Sequence, residues 1–184
     1  MRAIVLHGSP RRGGDSDTLV EAFLDGLAGD GAWDIQHFYT NDLQIRPCQG
    51  CLRCNEDHRC AIHDDMEAIY DAFLGASLVV FATPMYWGYM TAQLKTVIDR
   101  LEALAGEPFH GKTFAVLLTY HHHCRSMVAF FERVCPYFEV ELHTVTCRTF
   151  DEATGRAVPI ADCVAELAEA RRLGGQLGAR GSDG

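Results

Sequence analysis

The residues best suited to carry chemistry are four cysteines in the short segment RPCQGCLRCNEDHRC, residues 46–60. They are Cys48, Cys51, Cys54 and Cys60. Two residues lie between Cys48 and Cys51, two between Cys51 and Cys54, and five between Cys54 and Cys60. Four thiolates so close together suit a [4Fe–4S] cluster or a tetrahedral zinc ion. The spacing leaves three alternatives open: a cluster, a zinc site in which His58 or His63 replaces one cysteine, or metal-free thiols.

Composition limits the classes of protein to consider. The chain has 184 residues, which predicts one domain, and its net charge of −9 argues against nucleic acid or an acidic membrane as a partner. No apolar run approaches the ~20 residues of a membrane helix, and the N-terminus lacks the pattern of a secretion signal. We therefore expect a cytoplasmic protein whose cysteines stay reduced. The four cysteines outside the segment have no ligand spacing and are predicted core residues: Cys124, Cys135, Cys147 and Cys163.

Short apolar runs alternate with segments of helical periodicity along the whole chain. Strands are predicted at 2–8, 33–39, 77–83, 112–120 and 139–149, and helices starting at 16, 64, 90, 126 and 160. The helix from 90 is expected to end at Gly106, and the helix from 126 at Pro136. Such alternation predicts an α/β fold, a doubly wound five-stranded parallel sheet with helices on both faces, over residues 1–184. The cysteine-rich segment 46–63 is predicted to be a loop, and the tail after about 178 to be frayed.

Ligands of such sheets bind beyond the carboxyl ends of the strands, so the loops after the first, third and fourth strands are the candidate site. The first, GSPRRGGDSDT at 8–18, combines three glycines with hydroxyl groups and an arginine before a helix. Glycines expose backbone amides, and a helix start adds a positive partial charge. This composition predicts a phosphate site, with a capped turn that binds nothing as the alternative.

The second loop, PMYWG at 84–88, places Tyr86 and Trp87 at the end of a central strand. Aromatic side chains there indicate a platform for a flat ligand, with an aromatic core cluster as the alternative. A phosphate site beside a flat-ring site predicts a mononucleotide, and FMN combines both groups.

The motifs GSPR followed by DS, PMYWGYMTAQLKTVIDR and PCQGCLRC…C…DDM resemble the flavodoxin-like NAD(P)H-dependent FMN reductase superfamily, and more closely its iron–sulfur flavoprotein branch. The resemblance covers roughly residues 2–105. It implies the sheet order 2-1-3-4-5 and a [4Fe–4S] cluster on the four cysteines. It also implies an FMN site formed by the first two loops and the last residue of the fourth strand: Ser9, Pro10, Arg11, Asp15, Ser16, Asp17, Thr18, Pro84, Met85, Tyr86, Trp87, Gly88 and Tyr120.

The resemblance further implies an activity. FMN would take a hydride from NAD(P)H and pass electrons, with or without a cluster, to a small-molecule or protein acceptor. Trp87 and Tyr120 are expected to flank the substrate face, and no catalytic side chain is assigned. A homodimer or homotetramer is expected. The alternatives are a non-enzymatic FMN electron carrier, a flavin reductase with an empty or zinc-bound cysteine loop, and a zinc-stabilised binding module.

Two features depart from the family pattern. Asp15 stands where an asparagine is usual, which places a carboxylate near the expected phosphate. The loop after the fourth strand is commonly glycine-rich, whereas here it contains His121, His122 and His123. Lys95, Asp99 and Arg100 match the family signature, and we interpret them as structural.

Overall fold

The computed structural model describes residues 1–29 and 33–180, and its centre is a five-stranded parallel sheet. The strands are β1 (Arg2–His7), β2 (Asp34–Tyr39), β3 (Leu78–Pro84), β4 (Thr113–Tyr120) and β5 (Glu141–Arg148), in the order β2-β1-β3-β4-β5. The three inner strands are buried on both faces, as the continuous apolar runs predict. The doubly wound fold and the order 2-1-3-4-5 are confirmed.

In residues 1–29 and 33–180 there are six α-helices: α1 (Asp15–Leu27), α2 (Cys54–Asp57), α3 (Met66–Gly75), α4 (Ala92–Arg100), α5 (Arg125–Tyr137) and α6 (Val164–Arg180). Alternate residues of β1 enter different cores. Ala3 and Val5 pack with α1 and α6, whereas Ile4 and Leu6 pack with α3, α4 and α5. None of the described helices is both long and apolar enough to cross a bilayer.

The predicted element boundaries differ from the structure in several places. The helix expected to run from 90 to Gly106 is α4, which ends at Arg100 and is followed by a 3₁₀ turn at Leu101–Leu104. The last predicted helix splits into a 3₁₀ turn at Ile160–Asp162 and α6. Pro136 lies inside the last turn of α5 rather than ending it.

Two short elements were not predicted. The cysteine segment contains the single helical turn α2, which is too short to show apolar periodicity. An antiparallel hairpin, β6 (Phe150–Asp151) and β7 (Arg156–Ala157), follows β5. At the C-terminus α6 continues to Arg180, so residues 178–180 of the predicted frayed tail are helical, and the rest of that tail lies outside the described residues.

Helices α1 and α6 approach each other so closely that only glycine fits at the contact. A Cβ atom at Gly174 would lie 2.0 Å from the Phe23 carbonyl oxygen, and one at Gly26 would lie 1.9 Å from that of Arg171. Gly178 faces Leu27 in the same way, at 2.8 Å. The backbone of α6 therefore supports the helix that begins at the phosphate-loop candidate.

Candidate functional site

The loops after β1, β3 and β4 meet in one pocket of about 110 Å³ at the carboxyl edge of the sheet. The pocket is lined by eight of the thirteen residues expected to bind the cofactor: Ser9, Arg11, Asp15, Ser16, Pro84, Met85, Tyr86 and Tyr120. Three further lining residues were not singled out as site residues: Thr119, His121 and Thr149. Thr119 and Thr149 lie at the carboxyl ends of β4 and β5, so the position of each strand end was the signal that could have found them.

The first loop begins with a glycine that has no room for a side chain. A Cβ atom at Gly8 would lie 2.8 Å from that of Leu94, and the Gly8 amide donates to the Ala82 carbonyl over 2.7 Å. The hydroxyl of Ser9 then accepts from the Arg11 amide at 3.1 Å. This packing holds the loop against the ends of the central strands.

The N-terminus of α1 offers several unpaired donors. No residue in the described parts of the chain accepts a hydrogen bond from the amides of Asp15, Ser16 or Asp17, and the N-cap residue Gly14 provides no side-chain cap. The Ser16 hydroxyl lies 3.0 Å from the Thr119 hydroxyl. Three free amides at a helix start, next to hydroxyl groups and Arg11, fit a phosphate group. The hydroxyl of Thr18, in contrast, donates to the Gly14 carbonyl over 3.3 Å.

The second loop is a two-residue hairpin turn. Tyr86 and Tyr89 exchange backbone hydrogen bonds of 2.8 and 3.0 Å, while Trp87 and Gly88 have φ angles of 50° and 76°. Positive φ at both central residues defines a type I′ turn. The turn places the Trp87 side chain fully in solvent, outside the pocket, whereas Tyr86 lines the pocket.

The three histidines after β4 have different surroundings. His121 stacks on Phe150 with a ring separation of 5.3 Å, and its carbonyl accepts from Arg148 Nε at 2.9 Å. His122 meets Phe150 edge-on, while His123 faces Gly88. The hairpin β6–β7, absent from the predicted elements, therefore supplies the contact that fixes this side of the pocket.

Both ends of the cysteine segment are attached to one buried side chain, that of Arg100. Its guanidinium donates to the carbonyls of Arg46 and Ile62 at 2.8 and 3.0 Å, and to the Asp64 carboxylate at 2.8 and 3.2 Å. Burial raises the pKa of Asp64, but hydrogen bonds from Arg100 and backbone amides outweigh burial and lower it overall. The interpretation of Arg100 as structural agrees with these contacts.

The four cysteines of the segment are free thiols at the protein surface. Cys48 and Cys51 are exposed, and Cys54 and Cys60 are half-buried. Burial raises the pKa of Cys54, and the nearby thiols of Cys60 and Cys48 act in the same direction. Among the described residues no three His, Cys, Asp or Glu side chains are placed to hold a metal ion. Four thiols within thirteen residues are a donor set that suits a cluster or zinc chemically.

The other four cysteines follow the prediction in large part. Cys135, Cys147 and Cys163 are buried, and Cys124 is half-buried. Burial raises the pKa of Cys135 to about 12. The Cys135 thiol therefore stays protonated, and the buried cysteines pack as small apolar groups.

The fold and the phosphate-loop geometry define a flavodoxin-like α/β protein. Residues 1–150 match the family model of NADPH-dependent FMN reductases, and the chain belongs to that family. An iron–sulfur flavoprotein of Methanocaldococcus jannaschii is 34% identical over 104 residues, which cover 56% of this chain and 53% of that protein. One of Methanosarcina thermophila is 30% identical over 59% of this chain and 56% of its own length. The chain thus spans about half the length of these relatives.

Solved structures show the same fold over nearly the whole chain. An NAD(P)H:quinone oxidoreductase from Methanothermobacter marburgensis has a TM-score of 0.72 at 17% identity, covering 96% of each chain. An FMN-dependent NADH-azoreductase from Bacillus anthracis, solved with FMN, has a TM-score of 0.75 at 12% identity, covering 97% of this chain and 100% of its own. At these identities the likeness concerns the fold alone.

Proposed function

We propose that the protein is an FMN-dependent NAD(P)H oxidoreductase that delivers electrons to a small-molecule or protein acceptor. The observation that carries this proposal is the set of three unpaired amides at the start of α1, the helix whose first residues line the pocket together with Ser9 and Arg11. Such a site binds a phosphate dianion. Family membership supports the choice of FMN over other mononucleotides.

In this proposal the protein groups hold and orient the cofactor. Ser9, Arg11, Ser16 and the amides of residues 15–17 bind the phosphate, and Pro84, Met85 and Tyr86 border the ring together with Tyr120. Bound FMN supplies a hydride acceptor and a carrier of one or two electrons. Because the Trp87 side chain lies in solvent at the turn tip, we place it at the entrance of the pocket, where a nicotinamide or an acceptor arrives.

The test of this function is anaerobic stopped-flow mixing of the FMN-loaded protein with NADH or NADPH. An oxidoreductase bleaches the flavin absorbance at a rate that rises and saturates with nicotinamide concentration. A protein that binds FMN tightly but is not reduced by either nucleotide would be an electron carrier. A protein that does not bind FMN after reconstitution would contradict the proposal.

We further propose that Cys48, Cys51, Cys54 and Cys60 ligate a [4Fe–4S] cluster. Support comes from the four-thiol donor set, from the attachment of both ends of the segment to Arg100, and from relatives that are named iron–sulfur flavoproteins. The measurement is the iron, sulfide, zinc and FMN content of protein purified without oxygen. About four irons and four sulfides per chain support a cluster. Zinc, or no metal at all, supports the corresponding alternative.

We also propose a cytoplasmic homodimer or homotetramer. A half-exposed apolar groove between α4 and α5, bordered by Ile98, Phe130 and Val134, supports self-association through that face. Light scattering coupled to size exclusion measures the mass directly. A monomer mass at micromolar concentration would contradict this proposal without affecting the flavin site.

A further inference from the structure

A buried histidine lies directly behind the phosphate-binding loop and is not used by the proposed chemistry. His7 is the last residue of β1, and its ring joins α1 to the edge strand β2. Its Nδ1 lies 2.8 Å from Asp17 Oδ1, and its Nε2 lies 3.0 Å from His37 Nδ1. The side chains of His7 and Asp17 are only 3% and 7% exposed, so water does not compete for this contact.

The second oxygen of Asp17 extends this connection into the loop. Asp17 Oδ2 accepts a hydrogen bond of 2.7 Å from the Gly13 amide, and Gly13 has a φ of 65°. Gly13 is thus held in a left-handed conformation just before the helix start. The bond also occupies the Gly13 amide, whereas the amides of Asp15 and Ser16 have no partner among the described residues.

The hydrogen bonds define where the protons are. An ionised Asp17 has only acceptors, so Nδ1 of His7 must carry the hydrogen. Burial lowers the pKa of His7, against the opposing effect of Asp17, and burial also lowers the pKa of His37. Both rings are therefore neutral near neutral pH, and Nε2 of His7 accepts from Nδ1 of His37.

The remaining surroundings of His7 fix the orientation of its ring. The ring stacks on Tyr39 with centroids 4.1 Å apart, and the Arg12 guanidinium lies over the same tyrosine at 3.7 Å. Arg12 in turn pairs with Asp42. The charged or titratable groups that face His7 are therefore Asp17 on α1, His37 and Tyr39 on β2, and Arg12 in the loop.

We propose that His7 is a positioning residue for the phosphate-binding loop, because it holds Asp17 in the orientation that fixes the Gly13 turn and keeps the first-turn amides free for the phosphate. The proposal rests on the proposed function, since it assigns the anion at this loop to the phosphate of FMN. His7 itself does not touch the cofactor. Its effect reaches the phosphate only through Asp17 and the loop backbone.

Two amide substitutions separate the two ring contacts. In His7→Asn the side-chain amide nitrogen takes the place of Nδ1 and donates to Asp17. In His7→Gln the longer side chain carries its amide group to the position of Nε2, where the amide oxygen accepts from His37, and Asp17 is left without its donor. The dissociation constants of FMN and riboflavin, measured by flavin fluorescence, isolate the phosphate contribution, because riboflavin lacks that group.

We expect wild type to bind FMN at least about tenfold more tightly than riboflavin, as charge-assisted hydrogen bonds to a phosphate require. His7→Asn keeps that preference within about threefold, whereas His7→Gln loses about tenfold in FMN affinity with little change for riboflavin. Equal FMN affinity in the two variants would overturn the proposal, and so would an equal loss for both flavins in His7→Gln.

A measurement without flavin separates this proposal from the proposed function. Hydrogen exchange of the Gly13 amide in the flavin-free protein is expected to be slow in wild type and His7→Asn and fast in His7→Gln. Fast exchange in wild type, or unchanged exchange in His7→Gln, overturns the positioning role. If His7→Gln does not fold, His7→Phe, which keeps the stacked ring and loses both nitrogens, takes its place with the same expectations. A further outcome separates the two proposals. If the Gly13 amide of wild type exchanges slowly but wild type binds FMN no more tightly than riboflavin, the proposed flavin site is wrong and the role of His7 in positioning Gly13 still holds.

Discussion

The guanidinium of Arg100 and the carboxylate of Asp64 form a two-point contact, at 2.8 and 3.2 Å, from which water is almost absent. The Arg100 side chain is fully buried, and that of Asp64 is 8% exposed. The same guanidinium binds the carbonyls of Arg46 and Ile62. One side chain of α4 therefore fastens both ends of the cysteine segment to the body of the protein.

Replacing Arg100 by methionine is expected to lower the free energy of unfolding by about 3–5 kcal/mol, because Asp64 is left buried without its partner. Chemical denaturation measures the loss. Lys95→Met on the same helix is the matched control, since Lys95 pairs with Asp99 at the surface and contributes at most about 0.5 kcal/mol. Similar losses in the two variants would contradict the structural role of Arg100.

Replacing Gly174 by alanine is expected to destabilise the protein by about 3 kcal/mol or more, because the new methyl group meets the Phe23 carbonyl at 2.0 Å. Gly175→Ala is the neighbouring control. Its Cβ would lie 3.9 Å from the Gly26 carbonyl, which is an ordinary contact, and alanine favours a helix by about 0.5–1 kcal/mol. The thermal unfolding midpoint should fall for Gly174→Ala and rise for Gly175→Ala. An unchanged midpoint for Gly174→Ala would contradict the close contact between α1 and α6.

Acidification from about pH 7.5 to about pH 5.5 is expected to lower the stability of the protein through the buried His7 and its neighbour His37. The pKa of His7 and that of His37 are both lowered from 6.5 by burial, so the unfolded chain binds more protons just below that pH. Stability is then complete above 6.5 and falls as the pH falls toward the folded-state values. The urea concentration at the unfolding midpoint should fall less steeply with pH in His7→Asn than in wild type, because the substitution removes one titrating group. Equal slopes in both proteins would exclude this contribution of His7.

Trp87 is expected to dominate quenching of the intrinsic fluorescence by acrylamide, because its side chain is fully exposed while Trp33 is half-buried. Trp87→Asn should remove the accessible component and keep the turn, since asparagine tolerates the positive φ at this position. Its unfolding midpoint should therefore match that of wild type. If Trp87→Asn does not change the quenching curve, then the Trp87 side chain is covered in solution, for example by a second subunit.

The sheet and the convergence of three loops could be predicted from the sequence, because both depend on local patterns. Apolar runs revealed the strands, and the glycines and hydroxyls between 8 and 18 indicated the loop that lines the pocket. The turn α2 and the hairpin β6–β7 could not be predicted in this way, because a segment of two to four residues is too short to show a repeating pattern of apolar residues.

Contacts between distant residues were also beyond the sequence. Asp17 was expected at the cofactor site. Its amide is one of the unpaired donors at the start of α1, and its carboxylate lies between His7 and the Gly13 amide. The sequence around Asp17 looks the same whether its carboxylate faces a ligand or the buried His7, which lies ten residues earlier in the chain. The side chain of Trp87, which was expected to flank the substrate, takes its direction from a φ of 50° that the sequence does not reveal.

The close contact between α1 and α6 has a consequence for synthesis on the ribosome. Helix α1, which follows the first loop, is made first among the helices described, and Gly174 and Gly178, which its backbone touches, are added about 150 residues later. Until then, one face of α1 has no neighbour to cover it. The nascent chain therefore completes the support of α1 and of the loop before it only after α6 has been translated.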